Sequence, residues 1–138
     1  MEEKFTLHVM ADLKNLSTIG EFIKGCASKL GLDRKGVFQL ELAVDEVTSN
    51  IILHGYPQQS GPIHLLIWKE QKKIYIQIQD RGEPFNPLNA DKPDLSTALE
   101  ERSPGGLGIH FLKTVTDAAY YHFHDGKNIL TLVKNIDG

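Results

Sequence analysis

The chain has 138 residues, 41% of them apolar and 24% charged, with a formal net charge of −3. These values predict one globular domain spanning residues 1–138 and exclude a disordered chain. The acidic balance, without a Lys/Arg cluster, argues against direct nucleic-acid binding. The single cysteine, Cys26, excludes an internal disulfide. No secretory signal or membrane-length apolar run is visible, so we expect a cytoplasmic protein.

The first part of the chain predicts one strand and two helices. Apolar and polar residues alternate over positions 5–9, as in a strand. Asp12 is a cap for a first helix that Gly31 ends, and Asp33 is a cap for a second helix that continues to Gly55. The apolar positions of the second helix recur at spacings of three and four: Val37, Leu40, Val44, Val47 and Ile51.

The second part predicts two hairpins separated by a loop and a third helix. Residues 63–68 and 74–78 form the first hairpin, and residues 119–124 and 129–134 form the second around Asp125-Gly126. The order is strand, two helices, two strands, loop, helix, two strands. It predicts an α+β fold: a two-layer sandwich with a mostly antiparallel, mixed sheet and about three helices on one face.

The loop between the hairpins has the character of a binding loop. It runs from about residue 83 to 104, carries four prolines and shows no sustained periodicity apart from a helical turn near residues 95–101. Long irregular loops in compact domains are commonly lids or binding loops. The glycine run 105–108 follows and opens the third helix, whose free backbone N–H groups would form an anion site.

Three polar residues occupy unusual positions. Asp80 shares parity with the apolar residues of its strand, so its carboxylate faces the apolar side; it either caps the following turn or accepts a bond from a ligand amine. Glu46 and Asn50 lie four residues apart, on one helix face at the rim of the apolar stripe. They form either a solvated surface or the edge of a pocket, and His54 beyond them is expected to be a partly buried structural residue.

Other catalytic motifs are absent. No P-loop, Rossmann glycine pattern, zinc motif or serine-nucleophile motif occurs, and Cys26 lies among helix core residues. His122 and His124 share a strand face that we expect to be solvated.

The ordered set of motifs resembles the GHKL (Bergerat-fold, histidine-kinase-like) ATPase superfamily. In chain order, the first motif is Glu46 with Asn50 four residues later. It is followed by Asp80-Arg81-Gly82-Glu83-Pro84-Phe85, then by a long loop, and then by Gly106-Leu107-Gly108. The stretches 45–50 and 54–57 are similar to those of bacterial anti-sigma-factor serine/threonine kinases. The resemblance extends over roughly residues 5–134 and identifies the loop as an ATP lid.

The resemblance implies a role for each motif residue. Asn50 would be the Mg²⁺ ligand and Glu46 the general base that takes the proton of a substrate serine. Asp80 would accept from the adenine amine, and Gly82 would leave room for the ring. The remaining nucleotide-binding residues would be Phe85, Arg102 (at the γ-phosphate), Gly106, Leu107 and Gly108.

The function implied by the resemblance is ATP-dependent serine/threonine kinase activity in a partner-switching pathway. The kinase would bind a sigma factor and phosphorylate a small STAS-type antagonist, and the resemblance suggests a homodimer. Two alternatives remain open. One is a nucleotide-binding module that sequesters a partner without kinase activity, and the other is a protein-binding domain without a nucleotide. The presence of Glu46 favours the kinase.

Overall fold

A computed structural model of the chain describes residues 4–56, 60–89, 112 and 114–136. Five strands and two long helices, with shorter helical segments between them, make up this part of the chain. In chain order they are β1 (Lys4–Met10), a 3₁₀ turn (Leu13–Asn15), α1 (Leu16–Lys29), α2 (Arg34–Asn50), a π-helix (Ile51–Gly55), β2 (Pro62–Glu70), β3 (Lys73–Asp80), a 3₁₀ turn (Pro87–Asn89), β4 (Ala118–His124) and β5 (Lys127–Asn135).

The five strands form one sheet in the order β1-β2-β3-β5-β4. The predicted hairpins β2–β3 and β4–β5 are confirmed, and two long-range pairings, β1 with β2 and β3 with β5, complete the sheet. Every pairing among the described strands is antiparallel, so the parallel component of a mixed sheet is not found here. The predicted α+β class is confirmed.

Local capping explains where α2 begins and where α1 ends. The Asp33 side chain accepts from the Gly36 N–H at 2.8 Å and starts α2. Asp12 accepts from the Lys14 N–H at 3.0 Å, but it caps the 3₁₀ turn, so α1 begins three residues later than a direct cap would place it. Gly31 has φ +100° and ends α1, a conformation that glycine adopts without strain.

The core lies between the helices and one face of the sheet. The alternating residues of β2 and β3 that face the helices are fully buried, as the period of two requires. The α2 stripe faces the same layer, and Cys26 of α1 is buried there as expected. These packed residues include Ile19, Ile23, Leu40, Val44, Ile63, Leu65, Ile67, Ile74, Ile76 and Ile78.

The predicted third helix is described only at its end. Leu112, Thr114 and Val115 have helical backbone, and the two apolar residues are buried in the core as predicted. The rest of that helix, and residues 90–104 of the predicted lid, lie outside the described residues. Within the described part of the chain, no helix is long and apolar enough to cross a membrane.

Candidate functional site

A cavity of about 350 Å³ opens between the end of α2, the inner face of the sheet and the turn that follows β3. Its walls are mainly apolar, with a few polar side chains among them. The lining residues are Val47, Asn50, Ile51, His54, Gly55, Ile78, Asp80, Glu83, Pro84, Phe85, Pro87, Tyr121, Asn128 and Leu130. This size and this mixture of apolar walls with few polar groups are typical of small-molecule sites.

Asp80 lies at the floor of the cavity, with its side chain only 6% exposed. Its Oδ1 accepts from the Gly82 N–H at 2.8 Å and from Asn128 Nδ2 at 3.0 Å. The residue therefore caps the turn, as the first interpretation predicts, and it also faces the cavity. That Asp80 accepts a bond from a ligand amine stays a prediction. Among the described residues, Oδ2 has no hydrogen-bond partner. Burial raises the pKa of this carboxyl above its ordinary value, and the bonds from Gly82 and Asn128 oppose that rise.

Asn128 connects Asp80 to the turn that forms the adjacent wall. Besides Asp80, its Nδ2 contacts the carbonyl oxygens of Gly82 at 3.3 Å and Glu83 at 3.0 Å. Its Oδ1 accepts from the Phe85 N–H at 3.0 Å and from the Tyr121 hydroxyl. Asn128 is itself 6% exposed, so these bonds form in a largely dry environment.

Asn50 and Glu46 lie one turn apart near the end of α2. Asn50 lines the cavity, and its Nδ2 donates to Glu46 Oε1 at 3.3 Å. This bond leaves Asn50 Oδ1 without a hydrogen-bond partner among the described residues. Both side chains are half-buried. Burial raises the pKa of the Glu46 carboxyl, the bond from Asn50 lowers it, and the charge of Asp45 raises it.

Gly82 packs against the backbone at the end of the π-helix. A Cβ on Gly82 would overlap the Gly55 carbonyl, and the neighbouring Glu83 N–H donates to the same carbonyl oxygen at 3.0 Å. The need for glycine here is therefore explained by this backbone contact. The expectation that Gly82 leaves room for a ring stays a prediction. Phe85 lines the cavity and its side chain is exposed; its contact with a nucleotide stays a prediction.

The predicted exposure is wrong for one histidine and confirmed for two others. His54 was expected to be partly buried, and this is wrong: it is exposed at the cavity wall, because the helix widens into the π-helix at Ile51. His122 and His124 are exposed, as predicted for a solvated sheet face. Among the described residues, no three His, Cys, Asp or Glu side chains cluster as a metal site.

Four predicted site residues lie outside the described residues. They are Arg102, Gly106, Leu107 and Gly108, so their approach to the cavity stays a prediction. Of the predicted site, Asn50, Asp80 and Phe85 line the same cavity, and Glu46 is joined to it through Asn50.

The sequence did not single out Asn128, Tyr121 or Tyr56. Asn128 has the inward parity of Leu130, directly opposite Asp80 in the β3–β5 register. A polar residue on the apolar parity of a strand was the signal that could have revealed it. The Tyr56 hydroxyl accepts from the Arg81 N–H at 2.7 Å and donates to the Pro62 carbonyl at 2.6 Å, and so it braces the turn after β3.

The donor and acceptor set of the cavity fits a purine nucleotide with a divalent cation. The free Oδ2 of Asp80 can accept from an exocyclic amine at the floor, and the apolar walls can contact the faces of a base. The free amide oxygen of Asn50 is a hard oxygen ligand of the kind that Mg²⁺ takes. ATP and Mg²⁺ thus match residues that the described part of the chain holds in place.

Comparison with known proteins extends these observations. Residues 9–134 match the family described as "Histidine kinase-like ATPase domain". The serine/threonine-protein kinase BtrW of Bordetella bronchiseptica is 32% identical over 99 residues, which cover 71% of this chain and 70% of the relative. The serine-protein kinase RsbW of Bacillus thuringiensis is 23% identical over 132 residues, covering 93% of this chain and 82% of the relative.

A solved structure has the same fold. The crystal structure of the RsbU and RsbW domains of Rv1364c from Mycobacterium tuberculosis superimposes with a TM-score of 0.64 at 18% identity. The match covers 95% of this chain and 32% of that one, so the present chain spans about a third of the length of that protein.

Proposed function

The chain belongs to the histidine kinase-like ATPase domain family, and from that premise we propose that it is an ATP-dependent protein serine/threonine kinase. The observation that carries the proposal is the cavity that both Asp80 and Asn50 line. Asp80 presents at the floor an acceptor oxygen, and Asn50 presents at the rim an amide oxygen, neither of which has a hydrogen-bond partner among the described residues. The Asp80 end of the cavity suits an adenine amine, and the Asn50 end suits a cation bound to phosphate.

Asn50 is assigned the metal-binding role. Its Nδ2 is held by Glu46 Oε1, and this bond orients Oδ1 away from Glu46 and leaves it available as a ligand. Mg²⁺, when bound, would neutralise developing charge on the phosphate oxygens. Phosphoryl transfer depends mainly on positioning and charge neutralisation, so one side-chain ligand placed by a helix suits this chemistry.

Glu46 is assigned the role of general base. Burial, its largest influence, raises the pKa of the carboxyl toward the working pH, which makes the carboxylate a better proton acceptor. In the proposed step, Glu46 takes the proton of a substrate serine hydroxyl. The hydroxyl oxygen bonds to the γ-phosphorus while the bond from that phosphorus to the β–γ bridging oxygen breaks, so the products are a phosphoserine protein and ADP.

The protein substrate and partner follow from the relatives' names and remain part of the proposal. BtrW and RsbW are named serine/threonine- and serine-protein kinases. We propose that this chain acts in the cytoplasm as an anti-sigma regulatory factor. It would phosphorylate a small STAS-type antagonist and bind a sigma factor, as a homodimer. Arg102 and the glycines 106 and 108 are proposed to meet the phosphates.

Titration calorimetry and a phosphotransfer assay test the proposal together. Mg-ATP should bind to the wild-type chain, and the γ-phosphate should move to a serine of a candidate antagonist encoded nearby. Glu46→Gln should bind Mg-ATP with nearly unchanged affinity and transfer phosphate about 10²- to 10⁴-fold more slowly, the usual contribution of a general base.

Glu41→Gln is the matched control. Glu41 lies on the same helix and outside the cavity lining, so its loss should leave transfer near the wild-type rate. Absence of nucleotide binding by the wild-type chain would refute the site. Binding without transfer to any cognate antagonist would favour a nucleotide-dependent binding module. Normal transfer by Glu46→Gln would show that another group is the base.

A further inference from the structure

Asn128 occupies a position that the proposed chemistry does not use directly. It is the only described residue whose side chain bonds both to the Asp80 side chain and to the backbone of the turn at 82–85. Five polar atoms surround one buried amide. The amide nitrogen and the amide oxygen of Asn128 bond to different groups.

Within the described part of the chain, the nitrogen end of the Asn128 amide bonds to acceptors only. Asp80 Oδ1 lies at 3.0 Å, and the Gly82 and Glu83 carbonyl oxygens lie at 3.3 and 3.0 Å. Since Oδ1 of Asp80 is thereby occupied by Asn128 and the Gly82 N–H, the carboxylate cannot rotate without losing two bonds. The other oxygen, Oδ2, is held as the free acceptor of the cavity floor.

The oxygen end of the amide bonds to two donors, the only ones it has in the described ranges. The Phe85 N–H donates to it at 3.0 Å, and the Tyr121 hydroxyl donates from β4. Phe85 is an exposed side chain at the cavity wall, and its backbone is fixed through this bond. The amide cannot be flipped without placing its nitrogen against two donors, so the two ends determine one orientation.

Resting on the nucleotide-binding function proposed above, we infer that Asn128 is the positioning residue for base selectivity. It holds the free oxygen of Asp80 toward the base and ties the wall at Phe85 to the same amide. Asn128 does this through Asp80 and the turn. The ligand class it selects is a purine with an exocyclic amine in place of one with a carbonyl group.

The test compares the affinities of ATP and inosine triphosphate in the presence of Mg²⁺. Inosine carries a carbonyl where adenine carries the amine, so the ratio of the two affinities measures the acceptor that Asp80 presents. Wild type should favour ATP. Asn128→Ala should reduce that preference by about tenfold, because a released carboxylate no longer holds its acceptor in place. Asn128→Asp keeps the size and the oxygen end but places a carboxylate against Asp80, and it should reduce the ratio as well.

Thr131→Val is the matched control. Thr131 lies on the same strand, with its hydroxyl accepting from Gln77 Nε2 at 3.2 Å. It does not line the cavity, so the ratio should stay at the wild-type value. Tyr121→Phe removes only the bond from the Tyr121 hydroxyl to Asn128 Oδ1. It should reduce the ratio of ATP affinity to inosine triphosphate affinity less than Asn128→Ala does.

A second readout needs no nucleotide. In wild type, the bond from Asn128 favours the ionised form of Asp80 and so lowers its pKa. Carbon NMR of the Asp80 carboxyl should therefore report a higher pKa in Asn128→Ala than in wild type. The Tyr56 and Tyr121 hydroxyls interact with Asp80, but burial raises the pKa of both above 10.0, so they do not titrate in the carboxyl range. An isolated structural role at the turn would leave the Asp80 titration unchanged.

The outcomes separate the two proposals. A wild-type chain without affinity for either nucleotide would overturn the proposed function and the base selectivity with it. A wild-type chain that prefers ATP, with the same preference in folded Asn128→Ala and Asn128→Asp, would overturn the role of Asn128 alone. An Asp80 titration that does not move in Asn128→Ala would do the same.

Discussion

Replacing Asp80 by Asn separates the contribution of this residue to nucleotide recognition from its contribution to folding. The asparagine amide keeps an oxygen for the Gly82 N–H and for Asn128 Nδ2, because both bonds end at Oδ1. The amide nitrogen then takes the place of Oδ2 at the cavity floor. A donor would face the adenine amine, which is a donor too. Losing the bond and leaving both groups unpaired costs about 2–3 kcal/mol, equivalent to about 30- to 140-fold weaker ATP binding.

The same substitution should stabilise the fold at neutral pH. Burial raises the pKa of Asp80 in the folded state above its ordinary value of 3.8. The folded state therefore binds more protons than the unfolded state, and the free energy of unfolding of wild type declines as pH rises from about 3.8 to just above the raised pKa. The neutral Asp80→Asn side chain does not titrate. Its stability advantage should be absent at the acid end of this window and complete above it.

Calorimetry with ATP and inosine triphosphate, and urea unfolding at several pH values, measure the two effects. Asp80→Asn should lose ATP affinity, gain in relative affinity for inosine triphosphate, and unfold at higher urea concentration than wild type at pH 7. Asp45→Asn, an exposed acidic position on α2, is the control for the change in net charge. A variant that binds ATP normally, or one that is less stable than wild type at pH 7, would refute the placement of an unpaired carboxylate oxygen at the floor.

Substitutions at three other positions test the metal ligand, the backbone contact and a sheet histidine. Asn50→Ala should weaken ATP binding in Mg²⁺ but not in EDTA; equal weakening in both would exclude a ligand role. Gly82→Ala should lower the free energy of unfolding by about 1–3 kcal/mol, whereas Gly25→Ala, which meets no atom within 4 Å, should raise it by up to about 1 kcal/mol. Burial lowers the pKa of His64 below 6.5, so stability should decline as pH falls through that region, and His64→Gln should flatten the decline in urea titrations.

Local pattern was sufficient to predict most elements and the position of Asp80. A period of two over β3 predicts which residues face the core, and Asp80 at the end of that series lies inside as parity requires. The spacing along α2 likewise predicts that Asn50 lies at the rim of the core. The resemblance to the GHKL superfamily, stated from the order of these motifs, is confirmed by the family match over residues 9–134.

Contacts between distant segments could not be predicted in the same way. The register of β3 against β5 pairs Asp80 with Asn128 across 48 residues, and no short-range pattern specifies that pairing. The predicted last strand also began at Ile129, two residues after the observed start at Lys127, since asparagine is disfavoured in strands. Asn128, which bonds to Asp80 and to the turn at 82–85, therefore lay just outside the predicted strand. The pairing of β1 with β2 is a long-range contact of the same kind.

The end of α2 shows how local geometry and the site depend on each other. Apolar spacing and Gly55 predict an unbroken α-helix to that residue, but the backbone widens into a π-helix at Ile51, directly after Asn50. Such segments are rare and occur often at functional sites. The widening places His54 and Gly55 in the cavity wall, where the Gly55 carbonyl accepts from Glu83 and fills the space beside Gly82. The helix that positions Asn50 is thus joined by a backbone hydrogen bond to the turn that the Asn128 side chain holds from the other side, so this turn connects the two ends of the cavity.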